Sequence, residues 1–154
     1  MKKSVLVLVL AMVTSLSFGQ WTQKYYVDEF GDPTEKGYNL LIGYGTFSNS
    51  ATQNSDLRCD FVLAETSLVI EVYEYESNLA NDSKATFETV KIKTPTRGVI
   101  TIEDVFFSKK GVLYFSEERF KDVKEAISEE GTYIMVFKRK SDYSESSYKV
   151  KFTL

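Results

Sequence analysis

Apolar and polar residues alternate over short spans along most of this chain, and a period of two restricts such a chain to a fold built mainly from β-strands. The last span is the clearest example. Tyr148, Val150 and Phe152 fall on one face of an extended segment, and lysine and threonine fall on the other. Clusters of Gly, Asn, Asp, Ser and Pro separate the spans. The pattern predicts eight or nine strands, at residues 21–27, 38–46, 57–64, 67–76, 86–93, 98–106, 111–115, 132–139 and 147–153.

A single segment, from Ser116 to Gly131, has a helical period instead. Its residues Phe120, Val123 and Ile127 recur at i, i+3 and i+7 and so form one apolar stripe. Ser116 is suited to the N-cap and Gly131 to a left-handed C-cap. The sequence therefore predicts an all-β fold, a β-sandwich of mostly antiparallel strands with one packed helix. An α+β sheet covered by that helix is the alternative.

The N-terminus has the pattern of a secretory signal peptide. Lys2 and Lys3 precede a run of apolar residues that is too short to cross a bilayer. Ser17 and Gly19 supply the small residues of a cleavage site, so we expect residues 1–19 to be removed. The expected product is a single domain, residues 20–154, exported to the periplasm or beyond the cell. No cysteine follows the cut directly, so no membrane anchor is expected.

Charge and composition exclude several classes of function. The 19 basic groups include Lys2 and Lys3, so removal of the signal leaves 17 against 22 acidic groups, a net charge of −5. This balance argues against nucleic acid as a partner. Histidine is absent, which excludes Ser-His and Cys-His catalysis and histidine-based metal sites. Cys59 is the only cysteine and falls on an apolar face, so we expect a buried thiol and no intramolecular disulfide. The basic run at residues 138–140 is interpreted as a solvated strand end.

No residue pattern supports a catalytic site, a metal site or a cofactor. The acidic cluster of Asp28, Glu29, Asp32 and Glu35 is interpreted as a turn, with calcium binding as the alternative, because its spacing fits no EF-hand loop. A glycosidase requires two carboxylates at a defined separation, and none of the 22 is singled out. Aromatic residues are frequent in the predicted strands, and an exposed row would stack on sugars or contact a protein. Tyr73 and Tyr75 are the pair expected to be partly exposed.

The polar segment at residues 45–56 is the candidate binding loop. If successive strands are antiparallel, it shares one end of the domain with residues 76–84 and 108–111, while residues 28–34 lie at the other end. Capping of local turns is the alternative role for its side chains. The predicted ligand-binding residues are Ser48, Asn49, Ser50, Thr52, Asn54, Asn78, Asn81 and Asp82.

The sequence shows two resemblances, and the second of them bears only on the fold. The stretches WTQKYYVDEFGDPT and GTFSNSATQNSDL resemble small exported proteins of Bacteroidota-type bacteria whose function is uncharacterised. The order of Trp21, the LRC at residues 57–59 and a late helix followed by two strands is similar to VasI-like accessory proteins of type VI secretion. From the signal peptide, the missing histidine and the long polar loops, we expect a non-catalytic exported module that binds a protein or a glycan at the cell envelope. A small carboxylate-dependent glycan hydrolase and a structural component of an envelope assembly are the alternatives.

Overall fold

A computed structural model describes residues 21–142 and 144–154, so the expected signal peptide and its cleavage site lie outside the described residues. The elements are β1 (Thr22–Val27), β2 (Pro33–Ser48), β3 (Ser55–Leu63), β4 (Leu68–Glu74), β5 (Asn78–Leu79), β6 (Thr86–Lys93), β7 (Val99–Phe107), β8 (Val112–Tyr114), α1 (Glu117–Ala126), β9 (Thr132–Lys140) and β10 (Glu145–Thr153). All nine predicted strands are confirmed. The short β5 was not predicted, and β2 begins at Pro33, a residue that the sequence had placed in a turn.

The strand β2 closes the sheet into a barrel because it pairs along both of its edges. Its second half pairs with β3 on one side and with β10 on the other. The order β2-β10-β9-β6-β7-β8-β4-β3 therefore returns to β2, and every neighbouring pair is antiparallel. The all-β class is confirmed, but the two-layer sandwich and the α+β alternative are wrong, because eight strands form one closed ring.

Two glycines on the inward face of β2 allow this closure. Gly43 and Gly45 lie between the buried residues Leu41 and Phe47. A Cβ atom on Gly45 would lie 1.8 Å from the backbone oxygen of Lys149. Because neither glycine has a side chain, β10 approaches β2 closely where the barrel bends. Glycines in strand interiors commonly mark such corners.

The barrel interior is a packed core, which suits the narrow interior of an eight-stranded barrel. Tyr133, Phe47, Phe61 and Phe107 are among its largest fully buried side chains. The rings of Tyr133 and Phe152 stack with centroids 5.1 Å apart and an interplanar angle of 4°. The Tyr133 hydroxyl donates to the backbone oxygen of Glu129 at 2.6 Å, so this buried polar group is satisfied.

The helix α1 covers one end of the barrel, named here the helix end. Phe120, Val123 and Ala126 are buried against the core. Ser116 is the N-cap as predicted, and its side chain accepts from the Arg119 backbone N–H. No helix in the described ranges is long and apolar enough to cross a membrane.

The predicted C-cap at Gly131 is wrong. The cap residue is Ile127, and the Arg97 guanidinium donates to the carbonyl oxygens of Glu125 and Ala126. These bonds satisfy acceptors that the last turn of a helix leaves free. Gly131, at a φ of 135°, instead forms a pair of backbone hydrogen bonds with Leu154.

Cys59 is expected to resist thiol-specific labelling in the native protein. Its side chain is fully buried in the core, and this burial raises the pKa of the thiol, so little thiolate is present. Labelling followed by mass spectrometry, with and without denaturant, tests this. Rapid modification of the folded chain would contradict the buried position.

Candidate functional site

The connections selected from the sequence lie together at the end of the barrel opposite α1, named here the loop end. Residues 49–54, 75–85 and 108–111 connect strands there. The connection at residues 75–85 contacts both the start of β3 and the connection at residues 108–111. The Tyr75 N–H donates to the Asp56 oxygen at 2.8 Å, and the Asp82 N–H donates to the Lys109 oxygen at 2.9 Å. The turn at residues 28–32 is at the other end of β2, as the strand parity predicted.

The predicted ligand-binding residues share this end but differ in what they contact. Ser48 and Asn54 line a groove on the outer face of the barrel. Asn49 caps its own turn, because its side-chain oxygen accepts from the backbone N–H groups two and three residues further along the chain. Asp82 forms an ion pair with Arg139 at 3.5 Å. Ser50, Asn78 and Asn81 are exposed, and Thr52 hydrogen-bonds Ser55.

The groove has a volume of about 580 Å³ and crosses four neighbouring strands, β2, β10, β9 and β6. We name it the lysine groove. Its lining is Thr46, Ser48, Asn54, Phe87, Glu88, Thr89, Lys91, Val136, Phe137, Lys138, Ser147, Tyr148 and Lys149. The groove forms because β6 pairs with β9 only through Lys91–Lys93. The preceding residues of β6 diverge from the end of β9 and leave space between the two strands.

Three lysines are arranged around the floor of the groove. Lys91 and Lys149 lie on either side of Val136, each directly opposite it in the sheet. Their backbones are therefore two strand spacings apart, about 10 Å. Lys138 contacts Glu145 at 2.6 Å. This lysine holds the pKa of the Glu145 carboxyl below its ordinary value, so that carboxyl stays ionised next to it.

The same arrangement repeats next to the groove. Lys93 and Lys151 flank Ile134 as the groove lysines flank Val136. Among the described residues, neither these two lysines nor Lys91 and Lys149 form an ion pair. A chain with an excess of acidic groups thus carries a concentrated positive charge on one outer face.

Three aromatic rings, named here the aromatic ladder, extend from the rim of the groove across β6, β7 and β8. Phe87 lines the groove, and its ring centroid is 5.4 Å from that of Phe106. The ring of Phe106 is in turn 6.1 Å from that of Tyr114. All three are on the outer face, with exposures of 70%, 36% and 44%.

A second polar cluster lies on β3 and β4. Arg58 binds Asp60 through two nitrogens, at 2.8 and 2.5 Å, and Tyr73 donates to Glu71 at 2.7 Å. Burial and the hydrogen bond to Glu71 raise the pKa of Tyr73 to about 12. Asp60 and Glu71 are direct neighbours in the sheet, but their oxygens are occupied by these partners. Tyr73 is half-buried and Tyr75 is exposed, as predicted.

Most of the groove residues were not predicted. The signal that marks them is a lysine at every second position of three strands, as in the segments VKIK, FKRK and YKVK. That pattern places lysines on outer faces, but only the strand order brings these faces together.

No family model matches the chain, and neither a curated protein nor a solved structure shows significant similarity to it.

Proposed function

We propose that this protein is an exported, non-catalytic binding module that holds an anionic, hydroxyl-bearing ligand in the lysine groove. The observation that carries the proposal is the position of Lys91 and Lys149 on either side of the partly exposed Val136. Two ammonium groups on the strands either side of β9 form a binding position for a negative group between them. They attract it over several ångströms because salt screens charges only beyond about 8–10 Å.

The rest of the lining favours a ligand with hydroxyl groups. Thr46, Ser48, Thr89 and Ser147 supply hydroxyls, and Asn54 supplies an amide. Such groups both donate and accept hydrogen bonds, which suits a partner that does the same. The exposed Phe87 adds an apolar surface at the rim. A concave site with a few polar groups on an apolar base is a common form of ligand site.

Binding is favoured over hydrolysis by the carboxylates. Glycoside hydrolysis uses two carboxyl groups that flank the scissile bond. In the described residues, Glu88 is the one carboxylate that lines the groove, and its oxygen accepts from the Lys140 N–H. The adjacent pair on β3 and β4, Asp60 and Glu71, is held by Arg58 and Tyr73.

The proposal predicts a loss of affinity when the groove lysines are neutralised. In the double variant Lys91→Gln/Lys149→Gln, affinity for trigalacturonate should fall about tenfold, because two ionic contacts are removed. Isothermal titration calorimetry at low and high salt provides the measurement. Binding of the wild-type protein should itself weaken as salt is raised.

Two controls distinguish binding in this groove from general charge attraction and from binding at the loops. Lys36→Gln/Lys121→Gln removes the same charge from exposed lysines outside the groove and should leave binding unchanged. Asn81→Ala tests the loop residues predicted from the sequence and should also have no effect. Equal losses in the groove variant and the charge control would show non-specific attraction and contradict the proposal.

A further inference from the structure

We infer that the ligand is a polymer, an acidic polysaccharide whose chain leaves the lysine groove over Phe87 and continues across Phe106 and Tyr114. The inference rests on the proposed function and extends it to a substrate class. Its basis is the continuity of the two surfaces. Phe87 belongs both to the groove lining and to the ladder, so a bound chain meets the next ring directly at the rim.

The dimensions of this surface suit a chain of several sugar rings. The groove and the ladder together cross six neighbouring strands, from β2 to β8. Five strand spacings amount to an arc of about 24 Å. A single sugar occupies only part of such a surface. The apolar faces of pyranose rings stack on aromatic rings, and the exposed rings form a series with centroid separations of 5.4 and 6.1 Å.

The charge balance argues against the phosphates of a nucleic acid, because the chain has 22 acidic groups and only 19 basic ones. Arginine presents a planar fork that matches carboxylate and phosphate alike, whereas lysine presents a single point charge, so the type of cation does not separate the two anions. The chain's four arginines are absent from the groove lining. Each contacts an acidic side chain elsewhere, in the pairs Arg58–Asp60, Arg97–Glu129, Arg119–Asp104 and Arg139–Asp82. The cations that line the groove are lysines alone, and together with the hydroxyls beside them they suit a polymer that carries both carboxylates and hydroxyls, as a uronic-acid polymer does.

The concave shape also distinguishes a glycan from a lipid surface. A membrane-binding protein inserts protruding apolar residues beneath the head groups. Here the lysines and hydroxyls line a groove, and the rings lie along its continuation across the sheet. A linear polymer reaches both surfaces at once.

The test compares polygalacturonate with trigalacturonate on wild-type protein and on Phe106→Ala and Tyr114→Ala. Each substitution should weaken binding of the polymer about three- to tenfold, because one stacking surface is lost. Binding of the trimer, which fits in the groove, should be unchanged. Tyr114→Phe retains the ring and should bind the polymer as the wild type does. Phe30→Ala removes a ring that is 81% exposed in the turn at residues 28–32, and should have no effect.

Several results would overturn the inference. If the ladder pairs serve only to stabilise the sheet, Phe106→Ala and Tyr114→Ala will lower the melting temperature and leave the ratio of polymer to trimer affinity unaltered. Tighter binding to polyadenylate or to vesicles containing phosphatidylserine would assign the surface to another partner. Self-association in sedimentation, abolished by the ladder variants, would assign it to a second copy of the chain. Failure of the proposed function gives a different result. The wild-type protein would then bind neither trigalacturonate nor polygalacturonate, or it would bind both equally well after substitution of Lys91 and Lys149.

Discussion

Replacing Gly45 by alanine is expected to abolish stable folding. The new Cβ would lie 1.8 Å from the backbone oxygen of Lys149 and 2.8 Å from its carbonyl carbon. These atoms belong to the paired backbone of β10, so they cannot rotate away as a side chain would. The loss of stability should exceed the roughly 1–3 kcal/mol that overpacking usually causes. Urea denaturation, soluble yield and far-ultraviolet circular dichroism measure it.

A graded series of glycine variants provides the control. In Gly43→Ala the nearest atom, 2.8 Å away, is a methyl group of Val150, which can move, so the loss should be smaller. In Gly37→Ala, on the exposed first half of β2, the nearest atom is the backbone oxygen of Lys24, 3.1 Å away. It belongs to the edge strand β1, which can shift by a few tenths of an ångström, so the effect should be slight. The effect at Gly45 is steric, since its φ is not positive. If Gly45→Ala were as stable as Gly37→Ala, β10 would lie further from β2 than described.

The same glycines show why the barrel was not predicted. Alternation along Leu41, Gly43, Gly45 and Phe47 assigns an inner and an outer face, and a sandwich strand would have the same alternation. Closure depends on whether the edges of β2 meet β3 and β10, pairings that span up to about a hundred residues of sequence. The strands could be predicted because their signal is local, whereas the closure is non-local.

The aromatic ladder was missed because of one irregular residue. Strict alternation in β7 would place Phe106 on the same face as Ile100 and Ile102, which point inward. A bulge at Asp104, with a φ of 57°, shifts the inward and outward alternation of β7 by one residue, so Phe106 faces outward and Phe107 enters the core. A single inserted residue exchanges the two faces of a strand. Aspartate tolerates positive φ, but nothing else in the local sequence marks the bulge.

The groove lysines were missed for a topological reason. VKIK, FKRK and YKVK each predict an outward lysine, but β6, β9 and β10 are not consecutive in the chain. The sequence placed the polar connections correctly at one end. Connections between antiparallel strands alternate between the two ends of the barrel, and this alternation follows from the order of the elements alone. It could not place the outer faces of distant strands side by side.

Arg139→Met is the second substitution with a large expected effect. The sequence predicts that the run 138–140 is a solvated strand end. This prediction is wrong for Arg139, which points into the barrel and is only 3% exposed. Its Nη2 atom donates to the carbonyl oxygens of Ser108 at 2.8 Å and Lys84 at 3.1 Å, and Nη1 donates to that of Ala80. One side chain thus joins two connections of the loop end to β9.

Methionine keeps much of the volume but has no donors. The carbonyl oxygens of Ala80, Lys84 and Ser108 would each lose the guanidinium as a donor, and the Asp82 carboxylate would lose its ion-pair partner. The contact with the Phe107 ring, whose centroid lies 4.4 Å from the guanidinium carbon, would lose its charge. Removal of one partner from a buried ionic network typically costs about 3–5 kcal/mol. Denaturant unfolding should show a loss of this size. Limited proteolysis should also detect earlier cleavage within residues 80–85 and 108–111, because both connections lose the same side chain.

Lys140→Met is the matched control, since it makes the same exchange of a cation for methionine one residue away, on the exposed face of β9. A surface substitution of this kind changes stability by about 0.5 kcal/mol or less. Arg139→Lys keeps the charge but reaches fewer acceptors, so its stability should fall between the two. Equal stability of the Arg139→Met and Lys140→Met variants would support the interpretation of this run as a solvated strand end. A large difference in stability would establish that Arg139 closes the barrel at the loop end.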